Sequence, residues 1–257
     1  MSEVILCQVP RAEQPFYAED IDLNLYSIEE LCYFMQGNLA LLSSDFFNSS
    51  LTDWLRDELH LPRLAKTLEE NRKEDTGLKA LVFPIFREIG WLTPSQAREL
   101  TAHVEELEQL PAAVRLKQKG DALAGYEKYT RAISCYQLAL RLSSETSSVG
   151  EQFKGTVYYN AGAAAARLFQ MEEACACMKK AYQLVPSEDT LRGWLFCIWL
   201  KDGKEAFLQK CQELKVEDPL REEMEKKVRE IPNPAFPVDV DAALAVWVRE
   251  YHRQTDL

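Results

Sequence analysis

Apolar residues recur at helical spacing along most of the chain. From about Tyr26 onward they return every three or four positions, which is the period of a helix with one buried face. Ser27 followed by Glu30 predicts a helix start with a capping box, and Pro84 predicts a kink or a division in its helix. Residues 1–20 contain one candidate strand, "EVILCQV", with no evident second strand. The pattern therefore predicts an all-α protein.

One segment, "YYNAGAAAARLFQMEEACACMKKAYQLVP" from Tyr158 to Pro186, contains two alanine-rich helices with a break between them. Small side chains let helix backbones approach closely, so we expect a tightly packed helical hairpin. The upstream segment "LKQKGDALAGYEKYTRAISCYQLALRL" has the same pattern when Gly120 is aligned with Gly162. Three further pairs then align: Ala132 with Ala174, Tyr136 with Met178, and Ala139 with Ala181.

This internal repeat resembles the tetratricopeptide repeat, a helix–turn–helix unit of about 34 residues. The resemblance covers residues ~113–215, with "SSETSSVG" as an insertion between the first two units and a degenerate third unit after Ser187. It implies a short helical array within residues 111–257, closed by a capping helix near residues 241–254. Residues 1–110 are a separate acidic helical region. Their "YSIEELCYFMQGNLALL" is similar to segments of uncharacterised bacterial proteins, which implies no activity.

The resemblance also implies a concave groove, lined by the first helix of each unit, that binds an extended peptide or a partner helix. The predicted groove residues are Lys117, Asp121, Tyr159, Asn160, Arg167 and Lys201. Tyr159 and Arg167 are of the types that anchor interfaces. The alternative is that the cations are solvated and Tyr159 belongs to the core. A carboxylate clamp, known in some members, is incomplete because Asp121 stands where an asparagine is expected.

The charge is unevenly distributed. Residues 1–110 contain 9 Lys and Arg against 20 Asp and Glu, whereas residues 111–257 contain 21 of each. An acidic protein without a stripe of basic residues binds nucleic acid and anionic membranes poorly, because it has few cations to neutralise their phosphates. No apolar run approaches the ~18 residues that a membrane span needs. The start of the chain has no basic segment typical of a signal peptide, so we expect a cytoplasmic protein.

Candidate chemistry is sparse. The seven cysteines are scattered, which favours reduced, packed thiols, and the thiols of Cys175 and Cys177 would point about 200° apart on a helix. The segment "EDIDLNLYSIEE" lacks the glycine and the final glutamate of a calcium loop, so it is interpreted as an acidic lead-in to the Ser27 cap. No catalytic motif occurs. We expect neither a metal nor a cofactor.

These patterns favour a non-catalytic adaptor or scaffold that binds a protein or peptide partner in the groove. A chaperone-like module for one specific client is an alternative, which a strongly apolar groove would favour. An enzyme is the second alternative, with its site in residues 1–110 or at the junction with the array. Buried carboxylates converging with His60 or His103 would favour it. The oligomeric state is left open.

Overall fold

The computed structural model describes residues 9–145, 149–231 and 239–255. Over these ranges the protein is all-α, with twelve α-helices and one two-stranded antiparallel sheet. The candidate strand "EVILCQV" falls almost wholly outside the described residues. The chain divides into two compact units, Met1–Phe207 and Leu208–Leu257. The division into residues 1–110 and 111–257 stays a prediction from composition.

The sheet is a short hairpin that the sequence pattern did not predict. Strand β1 (Phe16–Ala18) pairs with β2 (Leu23–Leu25), and Phe16 lies opposite Leu25. Each strand has three residues, which is too short for an alternating pattern to be recognised. Phe16 and Leu25 are nevertheless buried. Asp22 lies in the turn with a φ of 55°, a conformation that aspartate tolerates better than most residues.

The first helices bury apolar faces against one another. They are α1 (Ile28–Gly37), a 3-10 helix (Leu39–Leu41), α2 (Ser49–Asp57), α3 (Pro62–Lys73), α4 (Leu78–Glu88) and α5 (Pro94–Gln109). The predicted N-cap of α1 is confirmed, because the Glu30 N–H donates to Ser27 Oγ at 3.2 Å. The Glu30 carboxylate accepts the N–H of Tyr26 at 2.6 Å, one residue before the cap, so the reciprocal bond of the predicted capping box is displaced by one residue. These two bonds fix where α1 begins.

Helix α4 is not divided at Pro84, contrary to one of the predicted outcomes. Proline lacks an N–H, so the carbonyl four residues earlier, that of Ala80, loses its partner within the helix. The Asn71 side-chain amide donates to this carbonyl at 2.7 Å. Because a neighbouring helix satisfies the freed acceptor, α4 runs continuously through the proline.

Two helical hairpins follow, as predicted. They consist of α6 (Ala112–Gly125) with α7 (Tyr129–Glu145), and of α8 (Glu151–Arg167) with α9 (Met171–Leu184). A Cβ at Gly120 would lie 2.6 Å from Cε1 of Tyr136, and a Cβ at Gly162 would lie 3.1 Å from Cγ of Met178. The aligned positions therefore make the same contact in both hairpins. The absence of a side chain at each glycine lets the paired helices approach.

The last helices are α10 (Glu188–Glu213), α11 (Asp218–Glu230) and α12 (Val240–Thr255). Gly203 interrupts α10 with a φ of 89°. In α12, Leu244 is 47% and Trp247 54% exposed. The capping role of this helix stays a prediction.

Ion pairs attach the β-hairpin turn to the first helical hairpin. The Lys119 ammonium lies 2.7 Å from Asp20, and the Lys128 ammonium lies 2.7 Å from Asp22. The Tyr17 hydroxyl also donates to Asp22 at 2.7 Å. The segment "EDID" is therefore not simply a lead-in to the Ser27 cap, because its carboxylates bind cations on α6 and beside α7. These pairs are partly exposed, so water screens them and each contributes little to the stability of the fold.

Candidate interaction site on the helical hairpins

A carboxylate joins three helices at the centre of the predicted groove. Asp121 on α6 accepts hydrogen bonds from the Tyr136 hydroxyl on α7 at 2.9 Å and from the Asn160 amide on α8 at 2.8 Å. Its second oxygen lies 2.6 Å from the Lys117 ammonium, one helical turn away. Three donors from three helices therefore converge on one side chain, which fixes the spacing of α6, α7 and α8.

Tyr136 is the buried member of this network, with 1% of its surface exposed. Burial raises the pKa of its hydroxyl, and the hydrogen bond to Asp121 and the charge of that carboxylate raise it further. The hydroxyl is therefore protonated at neutral pH and acts as a donor. The internal alignment paired Tyr136 with the apolar Met178 and gave no sign of the polar contact that its hydroxyl makes.

An open depression of about 350 Å³ adjoins the network. Its lining residues are Asp121, Ala124, Tyr129, Tyr136, Asn160, Ala163, Ala164 and Arg167. The alanines keep its floor free of long side chains. The Asp121 carboxylate is neutralised by Lys117, whereas the exposed Arg167 guanidinium has no hydrogen bond or ion pair within the described part of the chain. The depression therefore offers the positive charge of Arg167 beside a polar wall, formed by Asp121, Tyr136 and Asn160 and held in place by their hydrogen bonds.

The structure brings four of the six predicted groove residues together. Asp121, Asn160 and Arg167 line the depression, and Lys117 is bound to Asp121 at its side. Tyr159 and Lys201 do not line it. A Cβ at Gly193 would lie 3.0 Å from Cε2 of Tyr159, so this ring packs against α10.

The core alternative for Tyr159 thus has structural support, since the ring packs at the edge of a cluster that includes the buried Met178. Lys201 pairs with the adjacent Asp202 at 2.9 Å. Whether any of the six residues binds a partner stays a prediction.

A more enclosed cavity of about 370 Å³ lies between the α3–α4 turn, α5 and α6. Arg72, Arg115 and Lys119 line it, but Lys119 is already paired with Asp20. The Glu108 carboxylate accepts a hydrogen bond from the first backbone N–H of α4. The anion-binding end of α4 is therefore occupied by a side chain of the protein itself.

The arrangement that would favour an enzyme is not found at these two places. Neither His60 nor His103 lines either depression. Among the residues described, no group of three or more metal-ligating side chains converges. Burial raises the pKa of the Cys175 and Cys177 thiols, and raises that of Cys197 to about 12. The described thiols are thus protonated and poorly nucleophilic near neutral pH.

No protein-family model, no curated protein and no solved structure matches the chain significantly. The resemblance to tetratricopeptide repeats therefore rests on the quoted residues alone. Over the described ranges, no helix combines the length and the apolar character that crossing a membrane requires.

Proposed function

We propose that the chain is a non-catalytic interaction module that binds a peptide segment of a protein partner over the depression between α6 and α8. The observation that carries the proposal is the combination of an alanine floor, a polar wall fixed by Asp121 and the available Arg167 guanidinium. Such a surface can receive a side chain and orient it by charge.

The fixed wall lowers the cost of binding. Tyr136, Asn160 and Lys117 hold Asp121 from three helices before any partner arrives, so few side chains lose freedom on association. The small volume limits the contact to a few partner residues. We therefore expect a modest affinity, in the micromolar range of about 1–100 µM.

Charge determines the expected preference of this site. Lys117 already balances Asp121, so Arg167 supplies the net charge of the depression. A guanidinium binds a carboxylate with two parallel hydrogen bonds. We therefore expect the bound segment to place an aspartate, a glutamate or a terminal carboxylate beside Arg167. Tyr159 contributes to packing with α10 rather than to the contact.

The test combines capture of partners with a direct binding measurement. Partners retained from an extract of the source cells are identified by mass spectrometry, reduced to a binding peptide and titrated by calorimetry. Wild type is compared with Arg167→Glu and Ala163→Leu, which reverse the charge and fill the floor, respectively. Lys179→Glu is the matched control, because Lys179 is an exposed cation of α9 outside the depression.

The expected result is that wild type and Lys179→Glu bind the peptide equally. Arg167→Glu and Ala163→Leu should weaken binding at least tenfold while circular dichroism shows that both remain folded. Equal binding by all four proteins would remove the depression as the site. Failure to find any partner peptide would contradict the proposed function itself.

A further inference from the structure

A second open depression, of about 700 Å³, lies on the first region of the chain, against α1 and β2. Five aromatic and two acidic residues characterise its lining: Tyr26, Tyr33, Phe34, Trp91, Tyr126, Glu29 and Glu30. None of these residues belongs to the site between α6 and α8. The depression therefore calls for a separate explanation.

Hydrogen bonds hold two of the aromatic rings in place. The Trp91 indole N–H donates to the Gln36 side chain at 2.8 Å, and the Tyr126 hydroxyl donates to Asn38 at 2.8 Å. Tyr33 is 75% exposed, which is unusual for a tyrosine that serves only to fill a core. The rings are thus held by their polar groups while aromatic surface remains open to solvent.

Carboxylates stand beside these rings. Glu29 is only 6% exposed, and the exposed Glu30 accepts the backbone N–H of Tyr26. Aromatic faces and carboxylates both attract cations, and a guanidinium stacks on aromatic rings better than an ammonium does. The surrounding residues 1–110 add a net charge of −11.

An arginine of the chain itself already lies against one of the aromatic rings of the depression. Arg11 is the only cationic residue among those that line the depression. Its guanidinium carbon lies 4.4 Å from the centre of the Tyr26 ring. An arginine side chain is therefore the chemistry that one face of the depression already accommodates.

We propose that this depression, called here the acidic aromatic site, binds an arginine side chain of a basic peptide segment in a protein partner. Arg11 occupies the Tyr26 face until the partner's arginine replaces it. The proposal is independent of the site between α6 and α8, which carries the opposite charge preference.

The test uses a defined probe, the peptide acetyl-Gly-Ser-Arg-Ser-Arg-Ser-Gly-amide, in about 150 mM salt so that long-range attraction is screened. The control peptide contains citrulline, the neutral isostere of arginine. Binding is followed by the NMR signal of the Trp91 indole N–H, assigned from the spectrum of Trp91→Phe. The arginine peptide should shift this signal in a saturable way, and the citrulline peptide should not.

Two pairs of variants make the test specific. Tyr33→Ala should weaken binding about two- to fivefold, which is the usual effect of losing one exposed cation–π contact. Phe169→Ala is its control: it removes an 85% exposed ring outside the depression and should leave the affinity unchanged. Arg11→Gln should strengthen binding about two- to fivefold because it frees the Tyr26 face. Arg63→Gln makes the same charge change at an exposed position of α3 and should leave the affinity for the arginine peptide unchanged.

Three results would overturn the proposal. The first is an unchanged Trp91 signal at millimolar arginine peptide. The second is an equal shift with the citrulline peptide. The third is an affinity of Arg11→Gln no higher than that of Arg63→Gln, which would show that Arg11 does not compete. None of these results depends on whether Arg167 binds a partner.

Discussion

Replacement of Tyr136 by phenylalanine tests the network that fixes the spacing of α6, α7 and α8. The change removes one hydroxyl and keeps the buried ring that packs against Gly120. The hydroxyl donates to Asp121 at 2.9 Å, and the tyrosine is 1% exposed, so water has little access to the vacated place. We therefore expect Tyr136→Phe to fold and to be less stable.

The magnitude follows from the charge and the exposure of the acceptor. A hydrogen bond to a charged group contributes about 1.5–3 kcal/mol when its loss leaves the group unsatisfied. Asp121 keeps Asn160 and Lys117, and its side chain is 34% exposed, so water compensates part of the loss. The expected decrease in the free energy of unfolding is about 1–1.5 kcal/mol, near the lower limit of that range.

Urea unfolding followed by circular dichroism measures this decrease, with Tyr129→Phe as the matched control. Tyr129 lines the same depression and is half buried, and its hydroxyl has no hydrogen bond among the described residues. Tyr136→Phe should shift the midpoint and Tyr129→Phe should not. A double-mutant cycle with Asp121→Ala should show coupling. Equal midpoints for the two phenylalanine variants, or strict additivity in the cycle, would refute the reasoning.

Three further predictions concern packing, pH and thiol reactivity. Gly155→Ala should destabilise the protein by about 1–3 kcal/mol, because the new Cβ would lie 2.4 Å from Cγ2 of Val185. Gly125→Ala is the control and should not destabilise it, because nothing lies within 4 Å of the new Cβ. Thermal unfolding of the two variants measures the difference. The hydrogen bond from Lys128 lowers the pKa of Asp22 below its ordinary value of 3.8. The contribution of Asp22 to folding stability is therefore fully present above pH 3.8 and is lost as the pH falls through the lowered pKa. An NMR titration of that carboxyl should show the shift, and Asp22→Asn should make acid unfolding less steep. With a pKa of about 12, Cys197 should react with iodoacetamide at pH 8 roughly a thousandfold more slowly than in urea, as measured by mass spectrometry.

A local signal in the sequence predicted the start of α1 correctly. The cap that Ser27 provides for α1 is confirmed, and Thr93 and Gln96 form a complete capping box at α5. Both depend on atoms three or four residues apart, so the sequence contains all the information. The continuity of α4 at Pro84 could not be predicted in this way, because the Asn71 amide that satisfies the freed carbonyl comes from another helix.

The candidate site shows the same limit. The sequence placed Asp121 and Asn160 on successive hairpins, and their side chains do meet at 2.8 Å. The sequence could not show that Tyr136 would donate to Asp121, because the internal alignment paired Tyr136 with Met178, which makes no such polar contact. Nor could it decide between groove and core for Tyr159, which depends on the fit of its ring against Gly193 of α10.

The sequence by itself determined that the protein is helical, where α1 begins, and which glycines let α6 approach α7 and α8 approach α9. Those features follow from periodicity, capping and side-chain size, all of which act over a few residues or within one hairpin. Only the tertiary structure decided that Asp22 binds Lys128 across 106 positions, that Asp121 is enclosed by donors, and that Arg11 lies on Tyr26. The physical reason is that ion pairs and hydrogen bonds act over a few ångströms, and packing alone brings distant residues that close.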